Sequence, residues 1–160
     1  MHPMRRSDRE QSLEFTMALI DSCTNGVMAV QTGEEFPYCL PLSFVRKDNC
    51  LYFHCAKQGR KLDLLRADPH VCVTFVGGDV PAFLEPDEYT TYFSSAIVTG
   101  VASEVTDREE MIEALRLLCA KLLPESMHGF LPSIESTLPA TAVWRVDIAE
   151  ARGKQKKRPG

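Results

Sequence analysis

The sequence lacks any apolar stretch long enough to cross a bilayer, and its first ten residues lack the apolar run of a secretion signal. It also lacks a CxxC pair. Its six cysteines are scattered along the chain, a spacing that in a reducing compartment is typical of free thiols rather than of a disulfide framework. We therefore expect a cytoplasmic protein with no membrane partner.

Positive charge is also scarce, because the formal net charge is −4 at pH 7. Such a chain has no general attraction for nucleic acid, which we exclude as a partner. The one concentrated basic run lies in residues 153–160, which we interpret as a flexible, solvated tail. Residues 1–152 fit a single domain, and the chain as a whole has an ordinary globular composition, with 44% hydrophobic and 25% charged residues.

Two cofactor signatures are missing as well. The pairs His54 with Cys55 and His70 with Cys72 do not have the usual spacing of metal ligands, and a closed zinc site needs two further ligands that the sequence does not offer. No G-x-G-x-x-G follows a predicted strand, so any nicotinamide is expected to bind without a dinucleotide-binding domain. We therefore expect no metal.

The pattern of apolar and turn-forming residues predicts an α+β domain. One helix is predicted to begin at the S-x-x-E capping box of Ser7 and to end near Ser22, a short one follows Gly59, and a third follows Asp107. β-Branched and aromatic segments predict six strands, at 27–31, 38–46, 51–55, 70–76, 92–105 and 141–148. Because strands and helices do not alternate, the pattern favours an antiparallel sheet, and its first three strands indicate a meander.

Two features stand out in the second half of the chain. Residues 77–90 contain two prolines and four acidic residues without clear periodicity, which predicts a long surface loop that serves as a lid or a dimer contact. Gly100 lies inside a predicted strand, where a missing side chain often marks a bulge or the close approach of another backbone or a ligand.

The segment from Phe53 to Lys61 has the pattern of an anion site. A strand ends at Ala56, and Lys57-Gln58-Gly59-Arg60-Lys61 leads directly into a helix. Open amide groups and the positive end of the helix dipole attract a phosphate there, and the two adjacent cations add charge-assisted hydrogen bonds. Taken alone, the segment also fits a basic, solvated first turn of a helix.

Four local sequences carry a resemblance to a known family. They are Pro37-Tyr38 through Pro41-Leu42-Ser43-Phe44, Leu51-Tyr52-Phe53-His54-Cys55-Ala56 through Gly59-Arg60-Lys61, Asp68-Pro69-His70-Val71-Cys72-Val73, and Tyr92-Phe93-Ser94-Ser95 followed by Gly100. With the order of elements, they resemble the pyridoxamine 5'-phosphate oxidase-like flavoproteins, most closely the nitroimidazole-resistance-type (Nim-like) branch. The resemblance covers residues 22–154, most of the chain.

This resemblance implies a six-stranded antiparallel split β-barrel with flanking helices, which forms a homodimer and holds two FMN molecules in clefts shared between the subunits. Arg60 and Lys61 match the positions that bind the FMN phosphate in such proteins. The other positions that match cofactor-binding residues are Pro41, Leu42 and Ser43 along the isoalloxazine ring, His54, Cys55 and Ala56 beside the ribityl chain and phosphate, and Ser94 and Ser95, where the oxidases carry a polar flavin ligand.

Two aromatic residues leave alternatives open. His54 is a candidate proton donor beside a flavin, since histidine titrates near neutral pH, but it is also compatible with a hydrogen bond to the cofactor or packing against tyrosines. No orienting carboxylate for it is evident in the sequence. Trp144, the only tryptophan, is equally compatible with stacking on a flavin ring and with closing the barrel.

The function that the resemblance implies is FMN-dependent reduction of small aromatic or nitro compounds by a reduced nicotinamide, NADH or NADPH. A non-catalytic flavin-binding sensor or carrier and a haem-binding relative on the same barrel are the alternatives. Oxidation of pyridoxamine phosphate is not expected, because no histidine follows His128, whereas those oxidases carry an Arg-x-His segment near the end of the chain.

Overall fold

A computed structural model describes residues 3–158. Within them the chain forms eight strands, four α-helices and three short 3-10 helices. The strands are β1 (Glu10–Gln11), β2 (Asn25–Val30), β3 (Tyr38–Ser43), β4 (Val45–Lys47), β5 (Cys50–Ala56), β6 (His70–Leu84), β7 (Glu88–Glu104) and β8 (Thr141–Lys156). The α-helices are α1 (Leu13–Ser22), α2 (Arg60–Ala67), α3 (Arg108–Leu122) and α4 (Phe130–Thr137). The 3-10 helices are Ser7–Arg9, Pro124–Gly129 and Leu138–Ala140.

All strand pairs in the sheet are antiparallel, in the order β3-β2-β6-β7-β8-β5-β4, and β1 pairs with β8 beside this path. The predicted α+β class and antiparallel sheet are therefore confirmed. The prediction of six strands is not, because the described part of the chain has eight and their path is not closed. The two extra strands are short: β1 has two residues and β4 has three.

One face of this sheet curves around the main core. Three phenylalanines lie there fully buried, and the ring of Phe44 meets those of Phe53 and Phe75 edge to face, with centroids 5.6 Å apart in both pairs. Burial of such large rings contributes strongly to stability. Phe44 also separates β3 from β4, so the single strand predicted at 38–46 is interrupted by a core residue.

The predicted meander is confirmed in part. Strand β3 pairs with β2, and the end of the strand predicted at 38–46, now in β4, pairs with β5 through a hairpin. Strand β3 itself does not pair with β5, whose other neighbour is β8. The first helix also starts later than predicted. The side chain of Ser12, not Ser7, caps α1 by accepting a hydrogen bond from the amide of Phe15, and the helix ends at Ser22 as expected.

Residues 77–90 do not form the predicted loop. Strands β6 and β7 continue through them as a two-stranded ribbon, paired from Asp79 with Phe93 to Leu84 with Glu88. A bulge between Val76 and Asp79 separates this ribbon from the rest of the sheet. Strand pairing satisfies the backbone hydrogen bonds that a loop of this length would leave to water.

The predicted basic tail is also shorter than expected. Residues 153–156 belong to β8, where Gly153 pairs with Ala96 of β7 and with Gln11 of β1. Lys157 and Arg158 follow the strand and are exposed, and the last two residues of the predicted tail lie outside the described residues. None of the described helices combines the length and apolar character needed to span a membrane.

A second cluster of apolar side chains lies on the opposite face of β5 and β8, beneath α3 and α4. Tyr52 of β5 donates a hydrogen bond of 2.9 Å to Glu110 of α3, and Arg145 of β8 donates another of 2.9 Å to the same carboxylate oxygen. Burial and this carboxylate raise the pKa of Tyr52 to about 12, so the phenol remains a donor. These bonds hold α3 against β5, the strand that leads into the candidate site.

Candidate functional site

The first turn of α2 is the centre of the candidate site. Gly59 precedes the helix as its N-cap with φ +131°, a conformation that glycine adopts readily and other residues rarely. Glycine has no side chain that could cap the helix, and no described side chain accepts a hydrogen bond from the first turn. The amide of Leu62 already donates a hydrogen bond of 2.9 Å to the carbonyl oxygen of Gly59, so the amides of Arg60 and Lys61 are the ones that stay available to an anion, in the field of the helix dipole.

Arg60 lies at the outer side of this helix end. Its guanidinium donates a hydrogen bond of 3.1 Å to Glu34, in the turn between β2 and β3, and stands 5.2 Å from the centre of the Tyr38 ring. Both partners of the ion pair are exposed, so the pair contributes little stability and an anion with two charges can compete for the arginine. Arg60 thus joins α2 to the β2–β3 turn.

Lys61 lies deeper, above the ring of Phe53, with 5.5 Å between its ammonium nitrogen and the ring centre. Its ammonium is also close enough to the thiol of Cys55 to affect the pKa of that group. Burial raises the pKa of Cys55, and the neighbouring Lys61 opposes that rise only in part, so the thiol is not a ready nucleophile. Lys61 is half-buried, and an ammonium in such surroundings gains more from an anionic ligand than one in open water.

His54 lies one residue before Cys55 in β5, opposite Val143 of β8 and on the other face of the strand from Cys55. Its partial burial and the nearby Lys61 ammonium lower the pKa of the imidazole. At neutral pH His54 is therefore mainly neutral, which suits hydrogen bonding or proton acceptance better than proton donation.

This pKa shift has a consequence for stability that denaturation can measure. An unfolded histidine titrates near pH 6.5, and folded His54 titrates lower, so the folded protein binds fewer protons in that range and loses stability as the pH falls below about 6.5. In urea titrations, we expect the free energy of unfolding of the wild type to fall more between pH 7.5 and pH 5.5 than that of His54→Gln. His128→Gln is the matched control for loss of an imidazole; parallel curves for wild type and His54→Gln would contradict the assignment.

The β3 residues Pro41, Leu42 and Ser43 do not share one face. Pro41 pairs with Val27 and points away from the core, which suits an edge strand because proline cannot donate to the ladder. Leu42 packs against the main core, whereas Ser43 is half-buried on the face of Pro41. Only Pro41 and Ser43 are therefore presented on the outer face of the sheet.

A cleft of about 370 Å³ opens on this same outer face. Its walls are mainly apolar, and Gln31 and Pro37 line it at the two ends of the β2–β3 turn whose Glu34 holds Arg60. The polar side chains that line the cleft are those of Gln31, His70, Cys72 and Thr99. A cleft with mostly apolar walls and few polar groups fits a flat aromatic ligand, and its volume lies within the range of small-molecule sites.

Ser94 and Ser95 lie in β7, far from α2 within the same chain. Ser95 pairs with Lys154 near the end of β8, whereas Ala56 pairs with Thr141 at its start. At the usual rise per residue these two positions are roughly 40 Å apart along the strand. The structure therefore brings together His54, Cys55, Ala56, Arg60 and Lys61, but not the two serines.

Trp144 is 2% exposed and belongs to the main core, opposite Phe53. Of the two alternatives for this residue, the structure matches packing in the core, and the indole is not presented to a ligand. Its indole nitrogen has no hydrogen-bond partner among the described residues. Within residues 3–158, no three His, Cys, Asp or Glu side chains are placed to hold a metal ion.

Comparison with known proteins identifies the family of this chain. A family model described as pyridoxamine 5'-phosphate oxidase matches residues 13–155. The chain belongs to this family. The resemblance seen in the sequence is thereby confirmed, and the residues matched include the whole of the α2 site. No curated protein sequence matches the chain significantly.

Solved structures of similar fold include three with informative descriptions. A candidate 5-nitroimidazole antibiotic resistance protein from Bacteroides thetaiotaomicron has a TM-score of 0.76 at 20% identity, over 97% of this chain and 96% of that one. The flavocytochrome Anf3 from Azotobacter vinelandii has a TM-score of 0.86 at 24% identity, over 99% and 74%. An FAD- and haem-binding protein from Mycobacterium smegmatis has 0.81 at 19%, over 94% and 74%. At such identities the likeness establishes the fold.

The structure adds two residues to the candidate site that the sequence did not predict there. Glu34 binds Arg60, and Phe53 lies under Lys61. Glu34 lies in a turn with no pattern that points to Arg60, so the sequence held no signal for it. Phe53 was recognised as part of a strand, and its place below Lys61 follows from the short connection between β5 and α2.

Proposed function

We propose that the protein binds FMN, with the phosphate at the N-terminus of α2. The observation that carries this proposal is the uncapped first turn of α2 with two cations beside it, Arg60 and Lys61, in a member of the pyridoxamine 5'-phosphate oxidase family. A phosphate monoester dianion fits this donor set, because backbone amides and charged side chains converge on one position. Because the donor set suits a phosphate, we expect the site to bind FMN more tightly than riboflavin, which has no phosphate.

The isoalloxazine ring is proposed to lie on the outer sheet face, along Pro41 and Ser43 and towards the apolar cleft. The β2–β3 turn connects this face with Arg60, which supports placing the ring and the phosphate of one molecule at these two positions. His54, Cys55 and Ala56 then lie beside the ribityl chain. Neutral His54 is proposed as a hydrogen-bonding group or proton acceptor near the ligand.

A homodimer with shared clefts is part of this proposal. Ser94 and Ser95 are separated from Lys61 by most of the length of β8, so a flavin that contacts both groups must take the serines from a second subunit. The apolar residues exposed on the outer face, among them Val27, Ile97 and Val101, support an interface there.

The activity we propose is the reduction of small aromatic or nitro compounds at the expense of NADH or NADPH. Bound FMN supplies the electron transfer between nicotinamide and acceptor, and the protein supplies orientation and electrostatics. The similarity in fold to a candidate nitroimidazole resistance protein supports this class of acceptor.

Haem binding is the second candidate, and one observation favours it. His70 lines the cleft, and its Nδ1 lies 2.7 Å from a carboxylate oxygen of Asp68, an arrangement that orients the other ring nitrogen as many metal-bound histidines are oriented. Two relatives of similar fold are described as a flavocytochrome and as an FAD- and haem-binding protein. In this reading His70 would ligate the haem iron.

The absorbance spectrum of the purified protein distinguishes these functions. We expect flavin bands near about 370 and 450 nm after reconstitution with FMN, bleached by NADH or NADPH under anaerobic conditions and restored by a nitroaromatic acceptor. Bands that no nicotinamide bleaches indicate a sensor or carrier. A Soret band that is lost in His70→Ala indicates haem, and absence of both chromophores after reconstitution refutes the proposal.

A further inference from the structure

The ribbon formed by residues 79–91 of β6 and β7 carries an apolar face that its own chain leaves uncovered. Phe83 and Tyr89 pair across this ribbon with ring centres 4.7 Å apart, and they are 47% and 85% exposed. The other face of the ribbon is held by β8, because Lys156 contacts Glu88, Thr90 and the ring of Tyr92. β8 therefore covers part of one face, on which Val80 stays exposed, and the Phe83–Tyr89 face is uncovered within the described chain.

The free face continues the outer face of the sheet without interruption. Alternate residues of β7 point to this face from Tyr89 to Val101, since Phe83 pairs with Tyr89 and Thr74 with Ile97. Six of the eleven large hydrophobic residues exposed in residues 3–158 lie on this face of β2, β6 and β7. A partner that covers the outer sheet face is therefore in position to cover the ribbon as well.

Charge restricts what this partner can be. The ribbon and its turn contain Asp79, Glu85, Asp87 and Glu88, and no lysine or arginine occurs between Arg66 and Arg108. Nucleic acid and anionic lipid are repelled by such a surface, and two ribbons repel each other. A second copy of the chain offers exposed cations away from its own ribbon and outside the proposed phosphate site, among them Arg66 of α2 and Arg108 at the start of α3.

The dimensions also favour a second copy. The ribbon extends eight residues beyond Val76, roughly 25 Å, which exceeds the radius of gyration of about 15 Å typical of a domain of this length. In a two-fold dimer formed through the outer sheet face, an extension of this length runs alongside the partner's sheet rather than ending at the axis.

We propose that the ribbon docks by its Phe83–Tyr89 face on the barrel of a second copy of this chain. This inference rests on the homodimer of the proposed function and adds the segment that secures it. The acidic turn of the ribbon then meets the partner's basic surface near α2, and the two ribbons of the dimer lie on opposite sides of the two-fold axis.

Sedimentation velocity across a dilution series tests this docking on the full chain. Tyr89→Lys alters a residue that is exposed in the monomer, so folding is expected to be unchanged, and Phe83→Ser is the second variant. We expect each to raise the dimer dissociation constant roughly tenfold or more, as loss of an aromatic anchor does at interfaces. Leu131→Lys, at a 70% exposed residue of α4, is the matched control and is expected to change it less than threefold.

The outcomes separate this inference from the function it rests on. Unchanged dimerisation in both ribbon variants overturns the docking while leaving the dimer and the flavin site intact. A wild-type protein that is monomeric at micromolar concentration, with or without bound FMN, overturns both the docking and the shared cleft. FMN absorbance in the same samples reports flavin binding independently of the association state.

Discussion

Lys61→Ala is expected to weaken FMN binding roughly tenfold to a hundredfold. Loss of one charge-assisted hydrogen bond to a phosphate costs on the order of 1.5 to 3 kcal/mol, which corresponds to that range. Folding is expected to change little, because Lys61 forms its contacts with Phe53 and Cys55 at the edge of the core and water replaces the ammonium. Isothermal titration or quenching of flavin fluorescence measures the affinity.

Riboflavin provides the ligand control and Lys57→Ala the protein control. Riboflavin has the same ring without a phosphate, so its affinity is expected to be nearly equal in the wild type and in Lys61→Ala. Lys57 is an exposed lysine two residues before Gly59, and its removal changes the local charge by the same amount without the contacts of Lys61. If riboflavin weakens as much as FMN, Lys61 contacts the ring or supports the structure, and the phosphate assignment fails.

The α2 site could be predicted because all of its determinants are local. The end of a strand, a glycine and two cations follow one another within residues 53–61, and the structure keeps them in that order around one helix end. Neighbouring residues are enough to predict this helix. A glycine at a positive φ precedes it, a proline follows its end, and the apolar spacing inside it marks its buried face.

The ribbon at 77–90 could not be predicted, because pairing across the sheet overrides local preference. Two glycines, two prolines and four acidic residues disfavour a strand at eight of the fourteen positions considered alone. Each strand nevertheless has a partner of matching length, and a bulge at Gly77 and Gly78 absorbs the change in register. The sequence offered no means of recognising that partnership.

Trp144 and Arg60 show that contacts between distant segments also could not be predicted from the sequence. Whether a tryptophan closes a barrel or faces a ligand depends on the face of β8 that points inward, and the bulge in the β7–β8 pairing changes that alternation along the strand. The partner of Arg60 is Glu34, which lies on a different hairpin. Such contacts between distant segments are set by the assembled sheet rather than by motifs.

Gly100→Ala is expected to lower the free energy of unfolding by about 3 kcal/mol, the upper part of the range for an overpacked core. A Cβ at this position would lie 2.4 Å from the carbonyl oxygen of Asp147 and 2.8 Å from Val146 Cγ1. The first of these atoms is backbone in the paired strand, so β8 itself has to move. For a chain of this length the melting temperature falls by roughly 6 to 12 °C.

The bulge explains why a methyl group at this glycine would meet the backbone of β8 rather than a side chain that can move aside. Thr99 pairs with Glu150 and Gly100 with Ile148, so Ala149 is the extra residue of β8, and it lines the cleft on the outer face. Gly129→Ala, where an added Cβ has no neighbour within 4 Å and φ is −88°, is the matched control, expected to stay within about 0.5 kcal/mol of the wild type. Equal melting temperatures for Gly100→Ala and Gly129→Ala would show that β8 moves away from the added methyl group without loss of stability. The bulge would then not hold Ala149 in a fixed position in the cleft wall.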